Sequence, residues 1–157
     1  MSQPPLTVTL LGSGTSHGIP MIACDCPVCS SADPRDQRTR PSIAVAYDDT
    51  SILVDTSPEL RLQCLANGIR RVDAVLYTHH HFDHIAGLDD LRRFNHVQCR
   101  TLPCHGLPDT LDRLRAMFAY AFEEDPDYPS AKPHLTRHPI SGPFEVGGRT
   151  ITPIPLL

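Results

Sequence analysis

The sequence predicts a mixed α/β fold in which helices are layered against a sheet. Two hairpin patterns and one strand–helix–strand pattern support this class. The hairpins cover residues 42–55 and 144–152, each with a short turn rich in Asp or Gly, as is typical of paired antiparallel strands. Residues 51–78 place a helical stretch between two β-rich runs, which indicates a βαβ unit and hence a layered α/β (α+β) domain.

The N-terminal elements are predicted as a strand, a glycine loop and a polar connection. Residues 6–11 are β-rich with partial alternation, which favours a strand. The glycine spacing over residues 12–18 does not match the dinucleotide-binding fingerprint, because Pro20 and cysteines follow where a helix should begin. Residues 30–41 are polar and contain two prolines, so we expect an exposed connection.

The middle of the chain is predicted as helix, buried strand and helix. Thr56 and Glu59 fit a capping box at a helix start, and Gly68 fits its end. The run Val72–Thr78 is apolar without polar alternation, as in a strand buried on both faces. A second helix is expected over residues 85–94.

The last third of the chain is predicted as a core helix, a long loop and the second hairpin. The apolar residues of the segment 108–122 recur at helical spacing, so they are expected to pack in the core. Residues 125–143 contain five prolines and are expected to form a loop. The residues of the helical stripe are Leu111, Leu114, Phe118 and Phe122.

Composition limits the classes of function. A chain of 157 residues with a net charge of −4 is expected to form one domain over residues 1–157. No apolar run approaches the ~18 residues of a membrane span, and no secretory signal is evident. We therefore expect a cytoplasmic protein with no membrane partner. The 13 arginines are dispersed along the sequence, so nucleic acid is not expected as a partner either.

A cluster of metal-binding side chains follows the buried strand. The carboxyl end of such a strand is where α/β folds place ligands. His79 and His81 point the same way in an extended chain, and Asp83 and His84 start the next helix facing the same place. Imidazole and carboxylate suit zinc, manganese or iron, and two ligand pairs suit two metals about 3.5–4 Å apart. His80 breaks the alternation and is predicted not to be a ligand.

The motif His79-x-His81-x-Asp83-His84 resembles the signature of the metallo-β-lactamase superfamily. Asp55 matches the family's upstream aspartate, which supports the metal loop without binding metal. The resemblance implies a metallo-β-lactamase-like αββα sandwich, with about the first half and the start of the second half present here. Only four of the seven family ligands can be matched, so we expect a C-terminally truncated domain that is inactive alone.

A cysteine triplet, Cys24-x-Cys26-x-x-Cys29, suits a structural zinc that takes one further ligand; three reduced cysteines without metal are the alternative. With the glycine stretch 11–20, the triplet resembles the PhnP-type branch of cyclic-phosphate phosphodiesterases. Pyrroloquinoline-quinone biosynthesis protein B is similar over the same motifs. The family's fourth zinc ligand, a histidine near the C-terminus, has no match. The other histidines considered for it, none of which is assigned, are His105, His134 and His138.

The resemblance implies a binuclear metal-dependent hydrolase acting on a small or cyclic phosphodiester through a metal-bridging hydroxide. Two divalent ions (Zn or Mn) would occupy the active site and one Zn the cysteine site. His79 and His81 would hold the first metal, Asp83 and His84 the second, and Asp83 would also orient the hydroxide as the catalytic residue. A non-catalytic zinc-binding carrier and a nucleic-acid-processing nuclease are the alternatives. Members of the branch are often dimers, so a homodimer is an open expectation.

Overall fold

The computed structural model describes residues 6–125, 127 and 130–156. Six strands form the main sheet, and their spatial order is the same as their order in the chain. These strands are β1 (Thr7–Gly12), β2 (Ser42–Tyr47), β3 (Thr50–Val54), β4 (Ala74–Leu76), β5 (Leu102–Gly106) and β6 (Leu135–Pro139). A separate hairpin consists of β7 (Phe144–Val146) and β8 (Arg149–Ile151). The α-helices are α1 (Leu60–Ala66), α2 (Phe82–Ile85), α3 (Arg92–Gln98), α4 (Pro108–Met117) and α5 (Ala119–Phe122). Short 3₁₀ helices cover Pro34–Asp36 and Leu88–Leu91.

The strand directions bring Asp55 and the segment that carries the predicted metal ligands to the same end of the sheet. β1, β2 and β3 pair antiparallel, whereas β3, β4, β5 and β6 pair parallel. Val54 is aligned with Leu76 at the ends of β3 and β4. Because neighbouring parallel strands have their carboxyl ends at the same end of the sheet, Asp55, directly after β3, lies beside the segment that follows β4.

The main core lies between the sheet and the helices, and a second cluster lies on the opposite face. Leu53, Leu60 and Leu111 are fully buried members of the main core. The hairpin β7–β8 covers part of the other face, where the hydroxyl of Tyr47 donates to the carbonyl of Val146 at 2.6 Å. The second cluster comprises Tyr47, Ile52, Ala74 and Val146.

The predicted class, both hairpins and the core stripe are confirmed. β2 and β3 pair around a two-residue turn, and β7 and β8 pair around Gly147-Gly148. The stripe residues Leu111 and Leu114 are completely buried, and Phe118 and Phe122 pack against the same core.

The prediction of a continuous loop over 125–143 was wrong, because residues 135–139 form β6. Leu102 of β5 is aligned with Leu135 of β6, so a parallel neighbour fixes the backbone. Proline is tolerated here because β6 is an edge strand, and Pro139 is its last residue.

Two helix predictions need correction. The capping box is not formed, because the hydroxyl of Thr56 contacts the Tyr77 hydroxyl and the Ile85 carbonyl. Glu59 instead forms an ion pair with Arg40. The second helix, predicted over 85–94, is divided into α2, a 3₁₀ helix and α3.

Candidate metal centre

The segment after β4 places the side chains of the histidine motif close together. The ring of His79 lies 4.6 Å from that of His81 and 4.1 Å from that of His84, measured between centroids. Nε2 of His84 lies 3.2 Å from a carboxylate oxygen of Asp83. His80 contacts the ring of His81 edge-on at 5.8 Å, and its exclusion as a ligand stays a prediction.

Asp55 is the centre of the hydrogen bonds behind these ligands. Its Oδ1 accepts from the amide of Thr78 at 2.8 Å. Its Oδ2 accepts from the Thr78 hydroxyl at 2.6 Å and from Nδ1 of His84 at 2.7 Å. Asp55 is buried and has a φ of +62°, a left-handed conformation that Asp adopts more readily than most residues. This backbone turn directs the carboxylate from the end of β3 toward the segment after β4.

These hydrogen bonds assign the ring nitrogens. A carboxylate oxygen only accepts, so Nδ1 of His84 carries a proton. In the neutral ring, Nε2 then has a lone pair, and it faces the Asp83 carboxylate. The Thr78 hydroxyl gives its proton to Asp55 and therefore accepts from Nδ1 of His79, 3.0 Å away. His79 also presents Nε2 as a ligand atom. Carboxylate-oriented histidines are typical of protein metal sites.

The chemistry of this donor set fits divalent cations. Burial and the neighbouring His84 and His81 lower the pKa of His79, which favours the neutral form that binds metal. Nε2 of His84 and a carboxylate oxygen of Asp83 are both electron-pair donors, and they lie 3.2 Å apart. A proton or a cation between the two atoms would stabilise this close approach. The assignment of His79, His81, Asp83 and His84 as ligands stays a prediction.

The histidine motif alone does not complete a coordination shell. Among the residues that the structure describes, three ligand atoms lie within 4.8 Å of one another only in the cysteine triplet. The predicted pairs, His79 with His81 and Asp83 with His84, would each offer two ligands to an ion. A four-coordinate ion in either position requires ligands beyond these.

The cysteine triplet is gathered in the loop after β1. Its three sulfur atoms lie within 4.8 Å of one another. The amide of Cys29 donates to the sulfur of Cys26 at 3.4 Å. This bond, with the nearby thiols of Cys24 and Cys29, lowers the pKa of Cys26 to about 7. The Met21 amide donates to Cys29 and lowers its pKa, but burial and the other two thiols outweigh this effect and raise it. The geometry suits a zinc ion, and this site also stays a prediction.

No histidine joins the three cysteines within the described part of the chain. His105 and His138 lie on β5 and β6, toward the other edge of the sheet from β1. His134 directly precedes β6. The structure thus gives none of the three histidines the role of fourth ligand.

The glycine loop has a packing role. A Cβ atom on Gly12 would lie 2.0 Å from the carbonyl of Arg40, and one on Gly14 would lie 2.4 Å from the carbonyl of Arg38. These glycines are needed because two backbone segments approach closely. The rejection of a nucleotide-binding loop is consistent with this packing.

Sequence reasoning did not single out Thr78, which contacts both Asp55 and His79. A hydroxyl residue directly before the first histidine of the motif is a weak signal, because it gains its role only when β3 and β4 are paired.

The fold and the motif define the class of protein. The family model described as the beta-lactamase superfamily domain matches residues 50–157, and the chain belongs to this family. The predicted membership of the metallo-β-lactamase superfamily is confirmed.

Three relatives are similar to this chain over most of its length. The crystal structure of a new diphosphatase from the PhnP family shares 40% identity with a TM-score of 0.86, covering 97% of this chain and 57% of that one. Zn²⁺-bound PqqB from Methylobacterium extorquens shares 27% identity with a TM-score of 0.69, covering 92% and 50%. An octanoyltransferase from Porphyromonas gingivalis is 42% identical over 151 residues, covering 94% of this chain and 30% of that protein. The chain thus spans about half of the solved structures and less than a third of this curated relative.

None of the described helices has the length and apolar character that a membrane span requires. The cytoplasmic location stays a prediction.

Proposed function

We propose that the complete protein is a binuclear metal-dependent hydrolase that cleaves a small or cyclic phosphodiester. The observation that supports this most strongly is the Asp55 network, which holds Nδ1 of His84 directly and Nδ1 of His79 through the Thr78 hydroxyl, and leaves Nε2 of His84 beside the Asp83 carboxylate. A buried carboxylate that fixes histidine tautomers is an arrangement suited to metal ligation.

Each residue of the motif has a specific proposed role. His79 and His81 would hold one divalent ion, and Asp83 and His84 the other. When bound, two such ions lower the pKa of water and neutralise charge on phosphoryl oxygens. Asp83, whose carboxylate lies 3.2 Å from Nε2 of His84, would also orient the attacking oxygen. Asp55 would hold the tautomer of His84 and, through the hydroxyl of Thr78, that of His79.

The choice of phosphoryl chemistry rests on similarity to the diphosphatase of the PhnP family, at 40% identity. The choice of zinc as one of the ions is supported by Zn²⁺-bound PqqB, with manganese as the other candidate. A third ion, a structural zinc, would occupy the cysteine triplet. A small-molecule substrate, a homodimer and the absence of nucleic-acid and membrane partners belong to the same proposal.

The test is hydrolysis of bis(p-nitrophenyl) phosphate with added Mn²⁺ or Zn²⁺, using the longest available form of the protein. Asp83→Asn is the matched variant, because it preserves size and removes the charge. We expect metal-dependent turnover that Asp83→Asn reduces by about 100-fold or more. Turnover of a lactam or a thioester, but not of the phosphodiester, would contradict the proposal.

A non-catalytic zinc-binding carrier is the second candidate, favoured by the similarity to PqqB. Full metal loading without turnover of any ester would favour it. The chain is also similar to an octanoyltransferase, over 30% of that protein. Octanoyl transfer is therefore measured as a control reaction with the same protein.

A further inference from the structure

A groove of about 580 Å³ lies between α1 and α3, on the helical layer. Its floor is apolar and includes the buried residues Leu60, Cys64 and Phe94. Its sides include Leu65 and Val97, which are 66% and 55% exposed. A concave apolar surface with exposed large aliphatic side chains on both sides is typical of a binding site.

The rim of this groove is strongly cationic. The four arginines that line it are Arg61, Arg70, Arg92 and Arg93. Only Arg92 forms an ion pair with a carboxylate of the described residues, that of Asp89 at 3.1 Å. The rim charge that this ion pair and the nearby Asp90 leave uncompensated is therefore mainly that of Arg70 and Arg93.

Asp90 is the one acidic residue in the lining, and the charges of Arg92 and Arg61 act to lower its pKa, so it offsets part of the charge of these two arginines. It accepts a hydrogen bond from the backbone amide of Arg61 at the start of α1. Burial is the main cause that raises the pKa of Asp90. These arginines are dispersed along the sequence, and they line one groove only because α1 and α3 pack against each other. A local cationic site thus exists in a chain whose net charge is −4.

We propose that the groove between α1 and α3 docks an acidic amphipathic helix of a partner protein. Charge complementarity supports this occupant, because carboxylates flanking an apolar stripe would meet the arginines on both sides of the groove. Each bordering helix has seven residues, a length of roughly 10 Å, which accommodates about two turns of a docked helix. Arginine is enriched at protein–protein interfaces, where its planar guanidinium can donate two parallel hydrogen bonds to one carboxylate.

Two other anionic partners fit this surface less well. A lipid surface is flat, whereas the apolar floor is recessed. Single-stranded nucleic acid binds through exposed aromatic rings, and the aromatic ring of the floor, Phe94, is buried. The proposal is independent of the proposed catalytic function, since none of the motif residues lines the groove.

The experiment uses a 14-residue, fluorescein-labelled helical peptide with leucines on one face and glutamates beside them. The matched control peptide carries lysine in place of each glutamate. We expect the acidic peptide to bind with a Kd below about 100 μM at low salt, at least about tenfold tighter than the basic peptide. Raising the salt to about 0.5 M is expected to weaken the binding, because exposed ion pairs are screened.

The variant R70E/R93E reverses two rim charges, and R113E/R115E makes the same change on exposed positions of α4 as a matched control. Circular dichroism verifies that both variants fold. We expect R70E/R93E to weaken acidic-peptide binding by at least about tenfold, with the control unchanged. Val97→Ser tests the apolar contact and is expected to weaken binding without changing its dependence on salt.

Several outcomes would overturn the proposal. They are equal binding of both peptides, equal losses in the two double variants, and no binding of the acidic peptide up to about 1 mM. Two further results would assign the groove to another occupant and so overturn it. One is binding to anionic phosphatidylglycerol vesicles without peptide binding. The other is a concentration-dependent dimer that R70E/R93E abolishes, which would identify a second copy of this chain.

Discussion

Replacing Asp55 by asparagine changes the hydrogen bonds behind the metal ligands but preserves the size of the side chain. Asparagine also tolerates the left-handed φ of +62°. In the variant, an NH₂ group takes the position of Oδ2, which accepts from Thr78 and His84. The Thr78 hydroxyl can rotate to accept, but His84 must move its proton from Nδ1 to Nε2. We therefore expect the variant to lose Nε2 of His84 as a ligand atom.

The cost in folding stability follows from three hydrogen bonds, one of which the Thr78 amide donates to Oδ1 at 2.8 Å. The Thr78 hydroxyl and Nδ1 of His84 donate to a buried carboxylate at 2.6 and 2.7 Å. Bonds to charged groups contribute about 1.5–3 kcal/mol each, and neutral bonds about 1 kcal/mol. Replacing three charged bonds by three neutral ones therefore lowers the free energy of unfolding by about 1.5–6 kcal/mol.

The assay combines urea unfolding with long-range ¹H–¹⁵N NMR of the histidine rings, without added metal. Wild-type protein is expected to show the Nδ1–H tautomer of His84, and Asp55→Asn the Nε2–H tautomer. Asp112→Asn is the control, because it removes the charge of an exposed carboxylate paired with Arg137 and is expected to cost under about 1 kcal/mol. The same His84 tautomer in wild type and Asp55→Asn would refute the reasoning.

Three further predictions concern other parts of the molecule. Cys26, with a pKa of about 7, is expected to react with iodoacetamide half-maximally near pH 7 and to be protected by zinc. Peptide mapping would contradict this if buried Cys104, whose pKa is raised by burial, reacted as fast. Tyr47→Phe removes the buried bond to the hairpin and is expected to lower the free energy of unfolding by about 1–3 kcal/mol; an unchanged urea midpoint would contradict it. Burial, and then the charge of His138, lower the pKa of His105 to about 4 from 6.5. Its contribution to stability is therefore complete above pH 6.5 and is lost as the pH falls toward 4. His105→Gln should flatten the stability profile over that range, and a profile as steep as that of wild type would count against this assignment.

Local patterns in the sequence were sufficient for the features that depend on local chemistry. The two hairpins depend on short turns such as Gly147-Gly148, and the core stripe of α4 depends on helical spacing. The close approach of the histidine rings could also be predicted, because the motif lies within six residues after a buried strand; metal binding there stays a prediction.

Features fixed by tertiary pairing could not be predicted in the same way. β6 was missed because it lies within the proline-rich segment 125–143 and forms through parallel pairing with β5. The predicted capping box is not formed because the Thr56 hydroxyl instead forms hydrogen bonds with the Tyr77 hydroxyl and the Ile85 carbonyl. The arginines of the α1–α3 groove are separated along the sequence and become one site only through helix packing.

The central claim is that the histidine motif binds metal. The most direct test is the zinc content of the protein after loading with excess zinc and desalting, for wild type and the double variant H79A/H81A. The account predicts more than one zinc per chain in wild type, and about one in the variant, held by the cysteine triplet. The same zinc content in both proteins would contradict it.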